Sequence, residues 1–366
     1  MRKIFLIQLL VIFFISSVYS KEVKIELYGQ LLSIEIGGEK NFDRNFSFNE
    51  KGLETFFRDF KNGNIDLVNS IRSLKEKRNL DDWFVIKIVD ELCDELHFRN
   101  VIFLEWFALG ELGYKVQVSF SGPKCYLFLA SEKHLYNTVN IGKYYCANCD
   151  LGKFDKNSTL QLAKFTPYQK NSKDFSFKLN SVKEFYDEGK GLVSREFTLD
   201  GGSKFEVKFS SQVIQLLDDY PDLDMKTTFN IPMSGQSGKL IEAIKEQTAA
   251  LPDSAKVNWI LKFMSLNFTY SPDENNFGRE KAMAPEQFVF HGKGDCEDIS
   301  SFLFYALKEV LNRPLIIISY PYRNHINVGI SLDINSKADL VYKGRRYFIC
   351  EASVDNGFIA VGGVSK

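Results

Sequence analysis

This chain lacks a dominant charge of either sign: its 366 residues carry 46 Lys and Arg against 47 Asp and Glu. Without a basic surface there is no electrostatic basis for binding nucleic acid. Beyond the first fifteen residues no apolar run approaches the ~18 residues of a spanning helix, so no integral membrane segment is expected in the mature chain. Neither an EF-hand-type loop nor an acidic cluster points to calcium. The one Cys-x-x-Cys, Cys146 and Cys149, is half a zinc ligand set, and His97 and His134 do not stand at finger spacing. No cofactor and no metal are therefore expected. Low-complexity linkers are missing too, so no domain boundary is marked by composition.

What is present begins with a leader. Arg2 and Lys3 precede an apolar stretch over residues 4–15 broken by Gln8, and Val18-Tyr19-Ser20 supplies a small-residue cleavage site. The pattern is that of a bacterial signal peptide cut before Lys21, which predicts a periplasmic or secreted protein. No Cys near the cut could take a lipid anchor. Losing Arg2 and Lys3 moves the net charge from -1 to about -3.

The most informative segment is Gly294-Asp295-Cys296-Glu297-Asp298. Behind it Ile299, Phe302, Leu303, Ala306, Leu307 and Val310 recur at helical spacing. Asp295 suits the N-cap and Asp298 is a short-armed capping-box acid, so Cys296 falls in the first helical turn. There the dipole and the unpaired N–H groups favour a thiolate. Asn312-Arg313-Pro314 ends the helix, and residues 315–319 read as a buried strand.

Period two over 325–330 sends Ile326, Val328 and Ile330 to one face and His325 and Asn327 to the other. After a polar link with Lys343-Gly344, residues 346–351 read as a neighbouring strand with Tyr347, Ile349 and Glu351 on one face. If the two strands pair, Glu351 can orient His325 and stabilise its charged form. Each residue also has a plainer reading. Cys296 could be a small buried hydrophobe, His325 a strand-end structural histidine, and Glu351 the partner of Arg345 or Arg346. His291 and Asp355 compete for the base and acid roles.

The run from Cys296 through His325 to Tyr347-Phe348-Ile349-Cys350-Glu351-Ala352-Ser353 resembles the transglutaminase-like superfamily. Phe277-Gly278-Arg279-Glu280 and Pro285-Glu286 resemble its exported bacterial branch. The resemblance covers residues 250–366. It implies a papain-like core in which a helix-borne Cys meets His and an acid on adjacent strands. Two positions depart from the pattern: Glu351 stands where Asp is usual, and Asn327 where an aromatic residue is common. By that resemblance Cys296 attacks a peptide or protein amide to give a thioester, His325 is base and then acid, and Glu351 orients it. The Cys296 backbone N–H, with Gln287 as second candidate, stabilises the oxyanion. Hydrolysis is slightly favoured over transamidation. The rival reading is a non-catalytic periplasmic binding scaffold on a degenerate fold of this type, and a third is a thiol-redox protein using Cys146 and Cys149.

The expected fold class is α+β: a transglutaminase-like core, a helix packed on an antiparallel sheet, over 236–366, preceded by a β-rich domain over 153–235 and an N-terminal α+β module over 21–152. Residues 81–112 read as largely helical. Phe175-Ser176-Phe177-Lys178-Leu179 and Phe205-Glu206-Val207-Lys208-Phe209, with a turn at Asp200-Gly201-Gly202, suggest a small sandwich. Tyr270, Phe277, Phe288, Phe290 and Tyr322 flank the candidate site and could line a cleft. The helix-then-strands order of the C-terminal core also occurs over 95–150, where Phe107-Ala108-Leu109 parallels Tyr305-Ala306-Leu307 and Val118-Ser119-Phe120 parallels Ile318-Ser319-Tyr320. Phe98, Cys125 and Asn148 then face Cys296, His325 and Glu351, and an internal repeat requires the same strand order in both units.

Overall fold

The computed structural model describes residues 21–37, 42–148, 160–168, 172–179, 191–278, 280–352 and 360–361. The chain opens on a hairpin of β1 (Lys21–Leu27) and β2 (Gln30–Ile36), turned by Tyr28 and Gly29 at positive φ. Period two places Val23, Ile25 and Leu27 on the same buried face as Leu32, Ile34 and Ile36. Helices α1 (Glu50–Lys61), α2 (Ile65–Lys77), α3 (Trp83–Glu95) and α4 (Val101–Glu111) follow, with α2 against β2 and α3 against β1. Asn49 caps α1 by accepting the Gly52 N–H at 2.9 Å. Phe56 and Phe60 stack at 4.2 Å and pack against Phe98 and Phe107. Much of the Phe-rich composition thus fills a core.

Glu105 of α4 is buried among these side chains. Burial, and then the Asp90 carboxylate of α3, holds its pKa well above the usual carboxylate range. An acid whose folded pKa is raised contributes its full stability at low pH. That contribution is lost as pH climbs from the ordinary value of about 4.3 through the folded one. The melting temperature is therefore expected to fall between about pH 5 and about pH 8, and to fall less in Glu105→Gln. Equal falls in both proteins would remove Glu105 as a cause.

Beyond α4 lie β3 (Val116–Ser121), β4 (Lys124–Ala130), β5 (Asn140–Ile141), β6 (Tyr144–Cys146) and β7 (Gln161–Leu162), in one antiparallel sheet of order β5-β6-β4-β3-β7. A second hairpin, β8 (Leu192–Thr198) with β9 (Lys204–Ser210), turns near Gly201 and Gly202, both at positive φ. Then come α5 (Ser211–Asp219), α6 (Met225–Thr228), α7 (Lys239–Thr248), α8 (Asp253–Asn267), β10 (Thr269–Tyr270), α9 (Asp273–Phe277), α10 (Pro285–His291) and β11 (Lys293–Gly294). The chain ends its described course with α11 (Cys296–Leu311), β12 (Leu315–Tyr320), β13 (His325–Ile330), β14 (Leu340–Tyr342) and β15 (Arg345–Cys350). Their antiparallel sheet has the order β12-β13-β15-β14, with α11 packed on β13. The architecture is mixed α+β with antiparallel main sheets. Among the described residues no helix is long and apolar enough to cross a membrane. The leader read over residues 1–20 lies outside the described residues.

The described residues between 153 and 235 do not form a sandwich. Strand β7 joins the N-terminal sheet, and Phe175, Phe177 and Leu179 lie on the first hydrophobic core as extended chain. Phe197, Val207 and Phe209 of the second hairpin bury themselves in the other core, with α7, α8, α10 and α11. Alternation in sequence reports burial on one side of an extended segment. It does not say which core that side meets, and here the alternating segments are divided between two.

The two sheets share more than class. Helix, hairpin and second hairpin recur in the same order, β3-β4-β6-β5 and β12-β13-β15-β14. Phe120 pairs with Cys125 one step from the end of the first hairpin, and Tyr320 pairs with His325 at the end of the second. Phe128 pairs with Cys146 as Val328 pairs with Cys350. By this register Ala147, one residue before the expected Asn148, occupies the place of Glu351.

Candidate active site

The Cys296 turn is held by carboxylates. Asp295 Oδ1 accepts the Glu297 N–H at 2.8 Å and the Asp298 N–H at 3.4 Å. Asp298, fully buried, closes the box by accepting the Asp295 N–H at 3.1 Å and also takes the Met283 N–H at 2.7 Å. Asn312, at positive φ, ends the helix where its sequence predicts. Cys296 is 7% exposed and its thiol donates to the Asn324 carbonyl at 3.9 Å, while the Ile326 N–H faces the sulfur. The thiol therefore lies along the backbone on both sides of His325.

His325 opens β13, its ring stacked on Tyr320, which pairs with it across the hairpin. Glu351 follows β15, the strand that pairs with β13, and its Oε2 lies 2.9 Å from His325 Nε2. An ionised carboxylate only accepts, so this contact assigns the proton to Nε2 and leaves Nδ1 with a lone pair. Among the described residues nothing hydrogen-bonds Nδ1. Arg346 instead donates to the Ser336 carbonyl.

The electrostatics run against the thiolate expected at a helix N-terminus. Burial, with Asp295 and Glu297, pushes the Cys296 thiol up to about 11, although N–H groups of Ile326 and Cys296 itself pull the other way. A dipole end is worth about half a charge, and whole carboxylate charges beside it outweigh that. Glu297 is pushed up to about 7 by burial, Asp295, Glu280, Asp273 and Asp222. Asp273 rises to about 6 by burial, then Asp295 and Glu280, with the Lys281 N–H opposing. Asp298 is held well above the usual range by burial and Asp295.

Other sequence candidates are placed elsewhere. Gln287 is buried in α10, where its Nε2 donates to Asp218 and its Oε1 takes the Ala284 N–H, so its amide is committed to structure. His291 meets Phe277 and Phe290 edge to face, with Nε2 3.7 Å from Asp218. Asp355 lies outside the described residues. Of the flanking aromatics, Phe288 is core and Phe277 and Phe290 pack against it, whereas Tyr270 and Tyr322 remain exposed. Cys146 is disulfide-bonded; Cys149 is outside the described residues, and Cys93, Cys125, Cys296 and Cys350 are free thiols. Cys350 is buried in the second core. What sequence reasoning missed is the ring of acids around Cys296. Asp295, Glu297 and Asp298 were adjacent and readable; Asp273 and Glu280 were too far off to join them.

No protein-family model matches the chain, and no curated protein matches it. A solved structure of a candidate cysteine protease from Cytophaga hutchinsonii aligns with it at a TM-score of 0.23 and 14% identity. The match covers 47% of this chain and 66% of that one, just under two thirds of its length. A likeness at that score carries no argument, so the functional reading rests on the side chains.

Proposed function

We propose that the protein is an exported thiol acyl-transfer enzyme of transglutaminase-like type, with Cys296 as nucleophile, His325 as base and acid, and Glu351 as orienting acid. The observation that carries this reading is the 2.9 Å contact of His325 with Glu351, with the Asn324 carbonyl and the Ile326 N–H on either side of His325 meeting the Cys296 thiol at the head of α11. With Nε2–H directed at Glu351, Nδ1 takes the thiol proton as sulfur bonds to the carbonyl carbon of a peptide or protein amide. The developing oxyanion meets the Cys296 backbone N–H, which has no acceptor within the helix. Collapse breaks the C–N bond, and the imidazolium returns its proton to the departing amine. The thioester then passes its acyl group to water, regenerating the thiol. Water is favoured over an amine as acceptor.

The raised thiol pKa makes this a general-base mechanism, with no preformed ion pair, and it also supports the rival reading of a non-catalytic scaffold. Alkylation by iodoacetamide, followed by mass spectrometry on the mature chain, separates the two. For the enzyme, Cys296 is expected to react at about pH 7 and to slow about tenfold or more in His325→Ala, because the base has gone. Reaction that begins only toward pH 11 and ignores the mutation would leave the scaffold. By the same proposal the sheet β3-β4-β6-β5 is a silent copy of the module, with Phe98, Cys125 and Ala147 in the three places.

A further inference from the structure

We propose that the cavity between the N-terminal sheet and the segment after α5 is a carbohydrate site that takes one neutral sugar ring. Its volume is about 170 Å³, the share of about six waters at ~30 Å³ each, which is about the room one hexose needs. Four aromatic rings stand on its wall: Trp83 at the start of α3, Tyr136 beyond β4, Phe177, and Tyr220 after α5. Trp83 meets Tyr220 edge-on at 5.7 Å and lies tilted to Phe177 at 6.3 Å. Two acids, Asp219 and Asp222, share the wall, and among the described residues that line it none is Lys, Arg or His. The observation that singles out this cavity is a pair of donors on two of its residues. The Trp83 Nε1–H and the Tyr220 hydroxyl are buried and have no hydrogen-bond partner among the described residues, and a buried donor left unpaired is costly. Burial, and then Asp81 and Asp82, hold the Tyr220 pKa well above its usual value, so the group stays an O–H.

The ligand's chemistry follows from what the wall offers. Indole N–H and phenol O–H donate, carboxylates accept, and the rings cover an apolar face. An anion would meet two carboxylates; Lys87, whose ammonium lies 5.6 Å from the centre of the Trp83 ring, pairs with Asp90. A hydrocarbon would leave both donors unmet. An ammonium suits the acids and the rings but has no acceptor for the indole N–H. A sugar ring answers all three demands, with hydroxyls that both donate and accept around its edge and C–H groups on its faces. The wall is set in advance, which lowers the cost of binding. The Tyr136 N–H donates to the Asp222 carbonyl at 2.9 Å, and Leu135 bridges to Leu223. Asn137 Nδ2 donates to Asp222 Oδ2 at 2.9 Å and to the Glu280 carbonyl at 2.7 Å. Tyr136 and Asp219 are exposed, so the ligand enters from solvent.

The site does not depend on the proposed reaction, and its test does not read activity. D-glucose, D-galactose and N-acetyl-D-glucosamine are titrated separately into the mature chain by calorimetry, with tetramethylammonium chloride and cyclohexanol for contrast. At least one sugar is expected to bind at a single site with a Kd of about 1 mM or below, and both contrast compounds at least about tenfold more weakly. Trp83→Phe keeps a ring and loses the N–H, and Tyr220→Phe loses only the hydroxyl; each should weaken that sugar about fivefold or more. Because the Tyr220 hydroxyl bonds nothing in the protein, Tyr220→Phe should melt no lower than wild type without sugar, which separates lost binding from lost fold. Tyr136→Ala changes an exposed ring, should weaken the sugar by a similar factor, and is readable even if the buried variants misfold. The methyl glycoside of the bound sugar tells the source: equal affinity means the end of a longer glycan, lost affinity a free monosaccharide, and either upholds the site. Binding of none of the three sugars, a contrast compound bound as tightly, or affinity unchanged in all three variants would overturn it. Alkylation reads the thiol and calorimetry reads the sugar, so either proposal can fail alone.

Discussion

His325→Ala is expected to lower amide turnover by about 10³-fold, near the level of Cys296→Ala, because general acid-base transfer typically contributes about 10²–10⁴-fold and this is the imidazole proposed as the base. Glu351→Gln is the sharper test. A carboxylate can only accept from Nε2, which keeps the lone pair on Nδ1. A glutamine amide can donate to Nε2 instead, moving the ring proton to Nδ1 and so removing the base. A loss of about 10²-fold or more is expected for Glu351→Gln, and a smaller one for Glu351→Asp, which keeps the charge on a shorter arm. The assay is release of amine from a peptide or protein amide at pH 7, with circular dichroism confirming the fold of each variant. Wild-type turnover in His325→Ala would end the catalytic assignment; turnover in Glu351→Gln equal to wild type would leave Glu351 a structural partner only.

Much of this arrangement was legible because it is local. The capping pair Asp295 and Asp298, the periodic Ile299 and Phe302 behind them and the stop at Asn312 each act within one helix, and a helix of that composition has one way to lie on a sheet. His325 and Glu351 were legible for a different reason: two short alternating segments close in sequence often pair, and here the short β14 between them takes the outer edge and leaves β15 beside β13. What could not be read was anything that depends on segments distant in sequence. Gln287 looked available as an oxyanion donor until Asp218, brought from α5, took its amide. The thiolate expected of Cys296 follows from the helix dipole alone; the carboxylates that oppose it, Asp295 and Glu297, are its own chain neighbours, and the distant Glu280, Asp273 and Asp222 act on Glu297.

The repeated strand order sharpens this contrast. Both sheets put a buried strand next to α4 or α11 and fold back through two hairpins, yet the polar positions at the two sites differ in kind. In the C-terminal sheet a side chain, Glu351, reaches a side chain, His325. In the N-terminal sheet Asn148 reaches backbone: its Oδ1 accepts the Leu127 N–H at 3.0 Å and its Nδ2 donates to the Cys125 carbonyl at 3.3 Å. A group that satisfies backbone holds an edge together and has no proton to pass on. The same strand order thus carries a strand-pinning contact in one sheet and a side-chain to side-chain contact in the other.

Asp298→Ala is expected to be the most destabilising change near the site, at about 3 kcal/mol or a melting temperature lower by about 5 °C or more. Asp298 is fully buried and accepts two backbone N–H groups, of Met283 and Asp295, from the segments that meet under Cys296. Alanine orphans both, and each buried N–H without a partner costs about 1–3 kcal/mol. Asp298→Asn keeps the shape and one acceptor but turns an amide N–H toward the second donor, so about half the loss is expected. Gly294 shows how closely the carboxylate is enclosed: a Cβ there would lie 2.6 Å from Asp298 Cβ, and Gly294→Ala is expected to destabilise by pushing the same group away. Thermal melts of the three variants against wild type make the check. If Asp298→Ala melts like wild type, the Cys296 turn is held by packing alone. If it melts low, as these bonds require, the turn that fixes where the thiol stands is held by Asp298, the capping partner of the Asp295 that raises the electrostatic cost of a thiolate.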